Sequence, residues 1–399
     1  MNPEMIPART ARVLLRVVPV ALLGLAVAVG GGARAQETVL TTDLVDHLNP
    51  GWSPDGNWLA YERATSFGYH QVYKRESSTA PKPEIPLANA PGQDNRDPRW
   101  SPVAGSSGQY WIAYSTTSNP ESQLRIAVVS EDGATIRIRS SDPDPARTHS
   151  FPRWSPDGVW ITFAREQGFE TASVYRCPSS IDLPSNIGSV LPPHIALIAA
   201  ERFDAPTSGI CKRDVATFYP VWSPYFSGNG YNFVAYLREN EINPPLPATR
   251  KLQIVDWLGG DLGGGVDLVT SGNVGDRPEW KPLGFGGLRK LVFSFSDPAF
   301  DPLTSIGTVT LGGTRATLTT GNSDQKPAWA RGGCSRIVFV RKNLPAIWVV
   351  NEDGSGAISV ASGGADYDNP QWDPSGQKIA YQKMINGIWQ LAISQVPCP

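Results

Sequence analysis

Two of the four histidines in this 399-residue chain, His47 and His149, occupy matching places in a repeated phrase, each five residues before a tryptophan. Imidazoles that converge from separate repeats could bind a metal ion or move a proton. A zinc or transition-metal site needs three or four ligands, and no third or fourth histidine lies at a matching position. We therefore predict no metal, no cofactor and no catalytic residue from this pattern.

Charged and aromatic side chains fill the same short segments, which lead into the repeated tryptophan phrase. If the repeats surround an axis, these segments converge on one end of it, and such a mixed rim suits the binding of peptides or polar molecules. The alternative is a set of solvated turn residues that hydrogen-bond the local backbone. The candidate binding residues on this rim are His47, Arg96, Asp97, His149, Tyr219, Asp276, Arg277, Asp324, Lys326, Tyr367, Asp368 and Asn369.

The repeated phrase is Pro-x-Trp, first in "NPGWSPDGNWLAY" and last in "NPQWDPSGQKIAY". A period of roughly 40 to 50 residues is typical of a four-stranded propeller blade, and the spacings here are 43 to 68 residues. The seven copies centre on Trp52, Trp100, Trp154, Trp222, Trp280, Trp329 and Trp372.

Each part of the phrase predicts one part of a blade. Pro-x-Trp suits a short innermost strand, where proline is tolerated near the start and tryptophan fills the space between blades. Ser-Pro-Asp-Gly predicts a tight turn, and the apolar run after it predicts a second, fully buried strand. We therefore predict an all-β chain that forms a single β-propeller of seven four-stranded blades.

The last copy lacks a fourth strand. The segment 36–43, "QETVLTTD", looks like the fourth strand of a blade whose first three strands are missing. Pairing the two would leave no open inner edge. We predict that the strand near residues 37–42 closes the ring by pairing with the last blade.

The first 35 residues predict a signal peptide. Three arginines precede the apolar stretch Val17–Val29, and Ala33-Arg34-Ala35 is an A-x-A cleavage signal. An uncleaved membrane anchor is the alternative, but the apolar stretch is shorter than the ~20 residues of a comfortable span. We therefore expect residues 36–399 to form the propeller in the periplasm or outside the cell, with no stable membrane span.

The four cysteines are an even number in a chain with an export signal. They favour two disulfides over a zinc site because no CxxC pair is present. Three connectivities are open, and the blade positions favour Cys177–Cys211, which would hold an inserted loop over 178–208, and Cys334–Cys398. The alternative is free buried thiols.

Pro-x-Trp-Ser-Pro-Asp-Gly followed by an apolar-aromatic strand, with Asp-Gly in "SEDGATIRI" and "NEDGSGAISV", resembles the TolB-type propeller repeat, also called the PD40 (WD40-like) repeat. The resemblance extends over nearly all of 36–399. TolB itself has an α/β domain before a six-bladed ring, and neither feature is expected here. Prolyl oligopeptidase relatives add an α/β-hydrolase domain, but no G-x-S-x-G elbow occurs in this chain. Oligogalacturonate lyases use a related propeller with a histidine-rich metal site, which two histidines do not reproduce.

The formal net charge of −2 argues against nucleic-acid binding, which needs a concentrated excess of lysine and arginine. We predict an exported, non-catalytic, monomeric scaffold that binds a protein or envelope component through its rim loops. The alternative is a secreted carbohydrate-active lyase or hydrolase that uses the channel mouth.

Overall fold

All regular structure is β-strand over the residues that the computed structural model describes. These residues are 36–117, 123–140, 142, 146–167, 171–179, 196–199, 216–224, 233–240, 249–256, 266–269, 273–275, 277–282, 289–297 and 301–396. Within this part of the chain no helix is long and apolar enough to cross a membrane. The predicted signal peptide, Cys211, Asp276 and Cys398 lie outside the described residues.

The strands form a seven-bladed propeller, and each blade is an antiparallel meander that runs from the centre outwards. After β1 (Glu37–Val39), blade 1 consists of β2 (His47–Trp52), β3 (Trp58–Ala64), β4 (His70–Glu76) and β5 (Ile85–Ala88). Blade 2 consists of β6 (Asn95–Trp100), β7 (Trp111–Thr116), β8 (Arg125–Ser130) and β9 (Ile136–Ile138). Blade 3 consists of β10 (Thr148–Trp154), β11 (Trp160–Gln167), β12 (Thr171–Pro178) and β13 (Ala196–Ala199). Blade 4 consists of β14 (Ala216–Trp222), β15 (Phe233–Asn240), β16 (Thr249–Asp256) and β17 (Val266–Val269).

Blade 5 has an interrupted innermost strand, made of β18 (Asn273–Val274) and β19 (Glu279–Trp280), followed by β20 (Lys290–Asp297), β21 (Asp301–Thr310) and β22 (Arg315–Thr317). Blade 6 consists of β23 (Asp324–Trp329), β24 (Arg336–Arg341), β25 (Ala346–Asn351) and β26 (Ile358–Ser362). Blade 7 consists of β27 (Tyr367–Trp372), β28 (Lys378–Ile385) and β29 (Ile388–Gln395).

The amino-terminal strand completes blade 7, as predicted. β1 pairs antiparallel with β29, and the Leu40 N–H continues the ladder by donating to the Leu391 carbonyl at 2.7 Å. Trp52 of blade 1 also donates its indole N–H to the Gln371 carbonyl of blade 7 at 3.0 Å. The ring is therefore closed both by a shared sheet and by contacts between the first and last blades.

The repeated tryptophans seal the boundaries between blades. Trp100 of blade 2 is buried against Ala60 and Val72 of blade 1, and its indole N–H donates to the Gly51 carbonyl at 3.1 Å. Trp154 makes the same contact with the Arg99 carbonyl at 2.9 Å. These tryptophans therefore supply contacts between neighbouring blades. Truncating such a buried side chain to alanine costs about 3–5 kcal/mol of the free energy of unfolding.

The Ser-Pro-Asp-Gly turn forms as predicted. Ser53 accepts the Trp58 N–H at 2.9 Å and donates to Asp55 at 2.5 Å, while Gly56 has a φ of 73°. A positive φ at this place requires glycine for low strain. The turn thus joins the innermost strand to the second strand within a few residues.

The meander places alternate turns on opposite faces of the ring. We call the face where the innermost strands begin the top face, and it also holds the turns between second and third strands. The bottom face holds the turns between first and second strands, such as the Ser-Pro-Asp-Gly turns. The top face is therefore the end on which the predicted rim segments lie.

Two predictions about blade 3 are wrong. Its fourth strand, β13, lies inside the segment 178–208 that was predicted as an inserted loop. Cys177 is a free thiol, so the predicted bridge to Cys211 is not formed. The reason is that Cys177 packs with Trp111 and Phe163 between blades 2 and 3, where burial raises the pKa of its thiol to about 12. Cys334 is disulfide-bonded, and its predicted pairing with Cys398 stays a prediction.

Candidate binding site at the central channel

A left-handed residue lies three positions before every motif tryptophan. In six blades the ladder of the innermost strand shifts register there, for example between Leu48 and Gly51, so the residue and the proline after it form a β-bulge. In blade 5 the innermost strand is interrupted at this place. Proline fits because an unpaired bulge position needs no N–H donor. The φ angle lies between 46° and 61° at Asn49, Asp97, Phe151, Tyr219, Arg277, Lys326 and Asn369.

The bulges are held by side chains from neighbouring strands. The Asn49 N–H donates to Gln382 of blade 7 at 2.9 Å, and the Asp97 N–H donates to Glu62 of blade 1 at 2.7 Å. A left-handed non-glycine residue costs roughly 1–2 kcal/mol, so it persists only where such contacts fix it. The consequence is a ring of seven side chains around the top of the channel.

Arg277 spans this ring. Its guanidinium donates to Asn369 of blade 7 and to Asn49 of blade 1 at 3.2 Å, and it lies 3.9 Å from the Asp97 carboxylate of blade 2. Asn369 also donates to Asn49 at 2.8 Å. Because blade 5 lies across the ring from blades 1 and 2, these contacts bridge the channel with a polar network.

The other side of the ring is aromatic and ion-paired. Phe151 and Tyr219 of blades 3 and 4 pack with ring centroids 4.5 Å apart. Lys326 of blade 6 donates to Asp368 of blade 7 at 2.6 Å, and burial lowers the pKa of this lysine. The ring therefore offers polar, charged and aromatic surface together.

A second ring lies two residues further along each innermost strand, directly before the tryptophan. Arg99 and Arg153 occupy it in blades 2 and 3, and each guanidinium donates to the carbonyl of the proline before it, at 2.9 Å and 2.8 Å. Glu279 occupies it in blade 5. Burial raises the pKa of the Glu279 carboxyl to about 7, although Arg331, the Trp329 N–H, Arg153 and Arg99 act to lower it.

Four predicted rim residues lie inside the sheets instead of at the channel. These residues lie at the start of the innermost strands and are fully buried; they are His47, His149, Asp324 and Tyr367. The reason is that the residue five before the tryptophan precedes the bulge and points between the strands, where it meets polar partners. Asp324, for example, makes two hydrogen bonds to Arg341, at 2.8 and 3.0 Å.

His149 belongs to a buried Ser-His-Asp chain. Its Nδ1 lies 2.6 Å from the Ser140 hydroxyl, and its Nε2 lies 2.9 Å from Asp142. Ser140 is fully buried, and its hydroxyl also accepts the Ile126 N–H at 2.8 Å, so no substrate can approach it. Burial lowers the pKa of His149 despite the Asp142 hydrogen bond. This chain fastens the end of blade 2 to the start of blade 3.

One group of metal-ligand residue types occurs among the described residues, namely Asp43, His47 and Glu84. Arg63 already binds both carboxylates, at 2.7 Å and 3.0 Å. The two carboxylates also meet opposite ring nitrogens of His47, at 3.5 and 2.8 Å. In the structure the group is therefore an ion-paired cluster around Arg63.

Six of the other predicted residues lie at the upper ring of the channel, namely Asp97, Tyr219, Arg277, Lys326, Asp368 and Asn369. Arg96 turns outwards, where its side chain is 45% exposed and pairs with Asp94 at 2.6 Å. Five further residues were not predicted from the sequence, namely Asn49 and Phe151 in the upper ring and Arg99, Arg153 and Glu279 in the lower one. Their fixed offsets of three and one residues before each tryptophan were the available signal.

Comparisons with known proteins identify the fold. No family model matches the sequence, and no curated protein matches it significantly. The chain superposes on an oligogalacturonate lyase from Vibrio parahaemolyticus with a TM-score of 0.62 at 12% identity, over 92% of this chain and 95% of that one. An oligogalacturonate lyase in complex with manganese gives 0.63 at 13% identity, over 91% and 93%. The β-propeller domain of the Trilobed protease from Pyrococcus furiosus gives 0.53 at 11% identity, over 88% and 95%. These similarities establish a β-propeller; TolB from Acinetobacter baumannii, at a TM-score of 0.43, adds nothing to that conclusion.

Proposed function

We propose that this protein is an exported, non-catalytic scaffold that binds a protein partner on the top face of its propeller. Export follows from the signal-peptide pattern of residues 1–35. Binding at the top face follows from the distribution of apolar side chains and from the construction of the channel mouth.

The observation that carries the proposal is where the most exposed large apolar side chains of the described residues lie. Leu44 is 87% exposed, Phe67 is 86% exposed and Leu344 is 69% exposed. Leu44 precedes the innermost strand of blade 1, whereas Phe67 and Leu344 are in turns between second and third strands, so all three are on the top face. Val103, Ile136, Ile138 and Ile358 lie elsewhere and are only 37–48% exposed, so the strongly exposed apolar side chains are those of the top face, which favours a protein-binding surface there.

The channel mouth supports the same function. The Arg277 bridge to Asn49 and Asn369 closes the polar half of the upper ring, and Phe151 packs against Tyr219 on the other half. A partner on the top face would meet a filled platform of polar and aromatic side chains. Such platforms bind by surface complementarity, with aromatic residues as anchors.

The alternative function, a carbohydrate-active lyase or hydrolase, has less support. The oligogalacturonate lyases are similar in fold at 12–13% identity, and propellers of one fold perform unrelated functions. Among the described residues the one candidate metal group is occupied by Arg63, and the Ser140-His149-Asp142 chain is sealed from solvent.

The test is affinity capture from envelope extract with the mature protein, 36–399, as bait. We expect one specific partner. We expect Phe67→Ser with Leu344→Ser to weaken its binding roughly thirtyfold and to lower its recovery accordingly, because two anchor losses of about 1 kcal/mol each add to about 2 kcal/mol. Val103→Ser is the matched control, because Val103 is 40% exposed in a bottom-face turn.

Equal recovery by the double variant and the wild type would contradict the proposal. Turnover of an acidic oligosaccharide by the purified protein would favour the alternative.

A further inference from the structure

Three arginines from separate blades meet in the channel. Arg99 and Arg153 lie in the lower ring and Arg277 lies in the upper ring. Solvent still contacts them, since the side chains of Arg99 and Arg277 are 18% and 19% exposed. Guanidinium groups this enclosed are expensive unless anions neutralise them.

The protein neutralises these arginines incompletely. The Asp97 carboxylate is 3.9 Å from Arg99 and 3.9 Å from Arg277, which is too long for a hydrogen bond to either. Among the described residues, the Arg153 guanidinium has no carboxylate at salt-bridge distance. The one hydrogen bond that this guanidinium makes there goes to the neutral Pro152 carbonyl. The Lys326–Asp368 pair in the upper ring satisfies itself and provides no spare negative charge.

Among the described residues, the remaining carboxyl groups nearby form no ion pair with Arg99 or Arg153, and Glu62 instead accepts hydrogen bonds from Asn49 at 2.6 Å and from the Asp97 N–H at 2.7 Å. Burial, followed by the repulsion of Asp97, raises the pKa of Glu62, which lies next to Asp97. Burial also raises the pKa of Glu279 to about 7, so this group is part-protonated near neutrality. Among the described residues, the Arg99 and Arg153 guanidinium groups therefore keep donors that no carboxylate meets at hydrogen-bond distance.

We propose that the lower ring of the channel binds an oxyanion, the carboxylate or phosphate group of a ligand, through Arg99 and Arg153. Each guanidinium uses one nitrogen on its own proline carbonyl and keeps donors for the ligand. Paired arginine donors match the oxygens of carboxylates and phosphates. The site does not depend on which partner binds the top face.

Glu279 makes the binding pH-dependent. The charged groups that face it are Arg331, Arg153 and Arg99, and its carboxylate also accepts the Trp329 N–H at 3.3 Å. Above about pH 7 the ionised carboxylate competes with the ligand for the arginines, and below that pH it is neutral. Affinity for an oxyanion is therefore expected to rise as the pH falls through neutrality.

The experiment is calorimetric titration of the mature protein with inorganic phosphate and, separately, with citrate, at constant ionic strength. We expect saturable binding of at least one probe and a loss of about tenfold or more in Arg153→Gln, because one charge-assisted contact contributes roughly 1.5–3 kcal/mol. The two probes distinguish a phosphate ligand from a carboxylate ligand. Arg96→Gln is the matched control, since it removes an arginine of the neighbouring blade that points away from the channel.

Glu279→Gln provides a test in the opposite direction. At about pH 8 it should bind the probe several-fold more tightly than the wild type, because it removes the competing carboxylate. Equal weakening by Arg153→Gln and Arg96→Gln would overturn the proposal, as would saturable binding of neither probe up to tens of millimolar. Weaker binding by Glu279→Gln than by the wild type would also overturn it, because removal of the competing carboxylate should strengthen binding of the oxyanion.

Discussion

At the level of single residues, burial of an ionisable side chain in the channel costs free energy. Glu279, Arg99 and Arg153 are enclosed by seven blades, and burial moves the pKa of all three towards the neutral form. Burial is the largest cause in each case, which means that neighbouring opposite charges do not fully compensate it. The lower ring therefore stores free energy that a ligand could recover.

Glu279→Gln should stabilise the protein at alkaline pH. The folded-state pKa of about 7 exceeds the ordinary value of 4.5, so the contribution of the protonated group is fully present below about pH 4.5 and is lost as the pH rises through 7. We expect the variant and the wild type to unfold with similar free energies near pH 5. Near pH 8 the variant should be more stable, by on the order of 1–3 kcal/mol.

Urea denaturation at both pH values measures this difference. Glu76→Gln is the control, because Glu76 is 42% exposed and pairs with Lys82 on the surface. A constant difference between Glu279→Gln and wild type at the two pH values would contradict the assignment.

The sequence predicted part of the channel at the level of single residues. Arg277, Lys326 and Tyr219 lie at the left-handed position three residues before a motif tryptophan, and their role in binding stays a prediction. His47 and His149 do not lie on the channel, because the bulge two residues later turns the following side chains, and not these, towards the axis. A shift of register in a strand depends on which partner residue pairs, and that pairing is not encoded in the phrase itself.

At the level of elements, the six β-bulges and the interruption of the innermost strand of blade 5 are the features that build the site. Each one places a left-handed residue before a proline, a combination that is disfavoured locally. The motif proline and tryptophan predicted the strands, and the turn glycines predicted the hairpins. The fourth strand of blade 3 was missed because the segment 178–208, which contains it, was interpreted as a loop held by a Cys177–Cys211 bridge.

Replacement of Asn49 tests the bulge conformation. Asn49 has a φ of 53°, so Asn49→Ala should be less stable than Asn49→Gly by about 1 kcal/mol. This order is the reverse of the ordinary one in strands, where glycine is the weaker residue. Both variants lose the side-chain hydrogen bonds to Arg277 and Asn369, so the difference between them isolates the backbone.

Thermal or urea unfolding of the two variants gives the comparison. Gly51→Ala, two residues further along the same strand, is the control, because the nearest atom to an added Cβ is 3.6 Å away and φ is not positive. Greater stability of the alanine variant at residue 49 would show that the left-handed conformation is not maintained.

For the whole molecule, the ring depends on its closure by β1, which pairs with β29. Beyond its ladder with β29, β1 is tied to blade 7 through Glu37, which accepts hydrogen bonds from Tyr381 at 2.9 Å and Lys383 at 2.7 Å. The sequence predicted this closure because the missing fourth strand and the unassigned first strand were complementary.

Deletion of 36–42 should open the ring. We expect a loss of several kcal/mol in the free energy of unfolding, since it removes a ladder and buried Leu40, and we expect self-association through the exposed edge of β29. Denaturation together with light scattering measures both effects. Glu37→Gln, which keeps the strand, should retain most of the stability; unchanged melting of the deletion variant would contradict closure.

The central claim is that a protein partner binds the top face, and photo-crosslinking in the native envelope tests it most directly. A photoreactive residue would replace Phe67 or Leu344 on the top face, and the exposed Val103 or Ile136 elsewhere on the ring as controls. We expect a crosslinked adduct of one defined mass from both top-face positions and from neither control. No adduct from either top-face position, or equal adducts from all four, would contradict it.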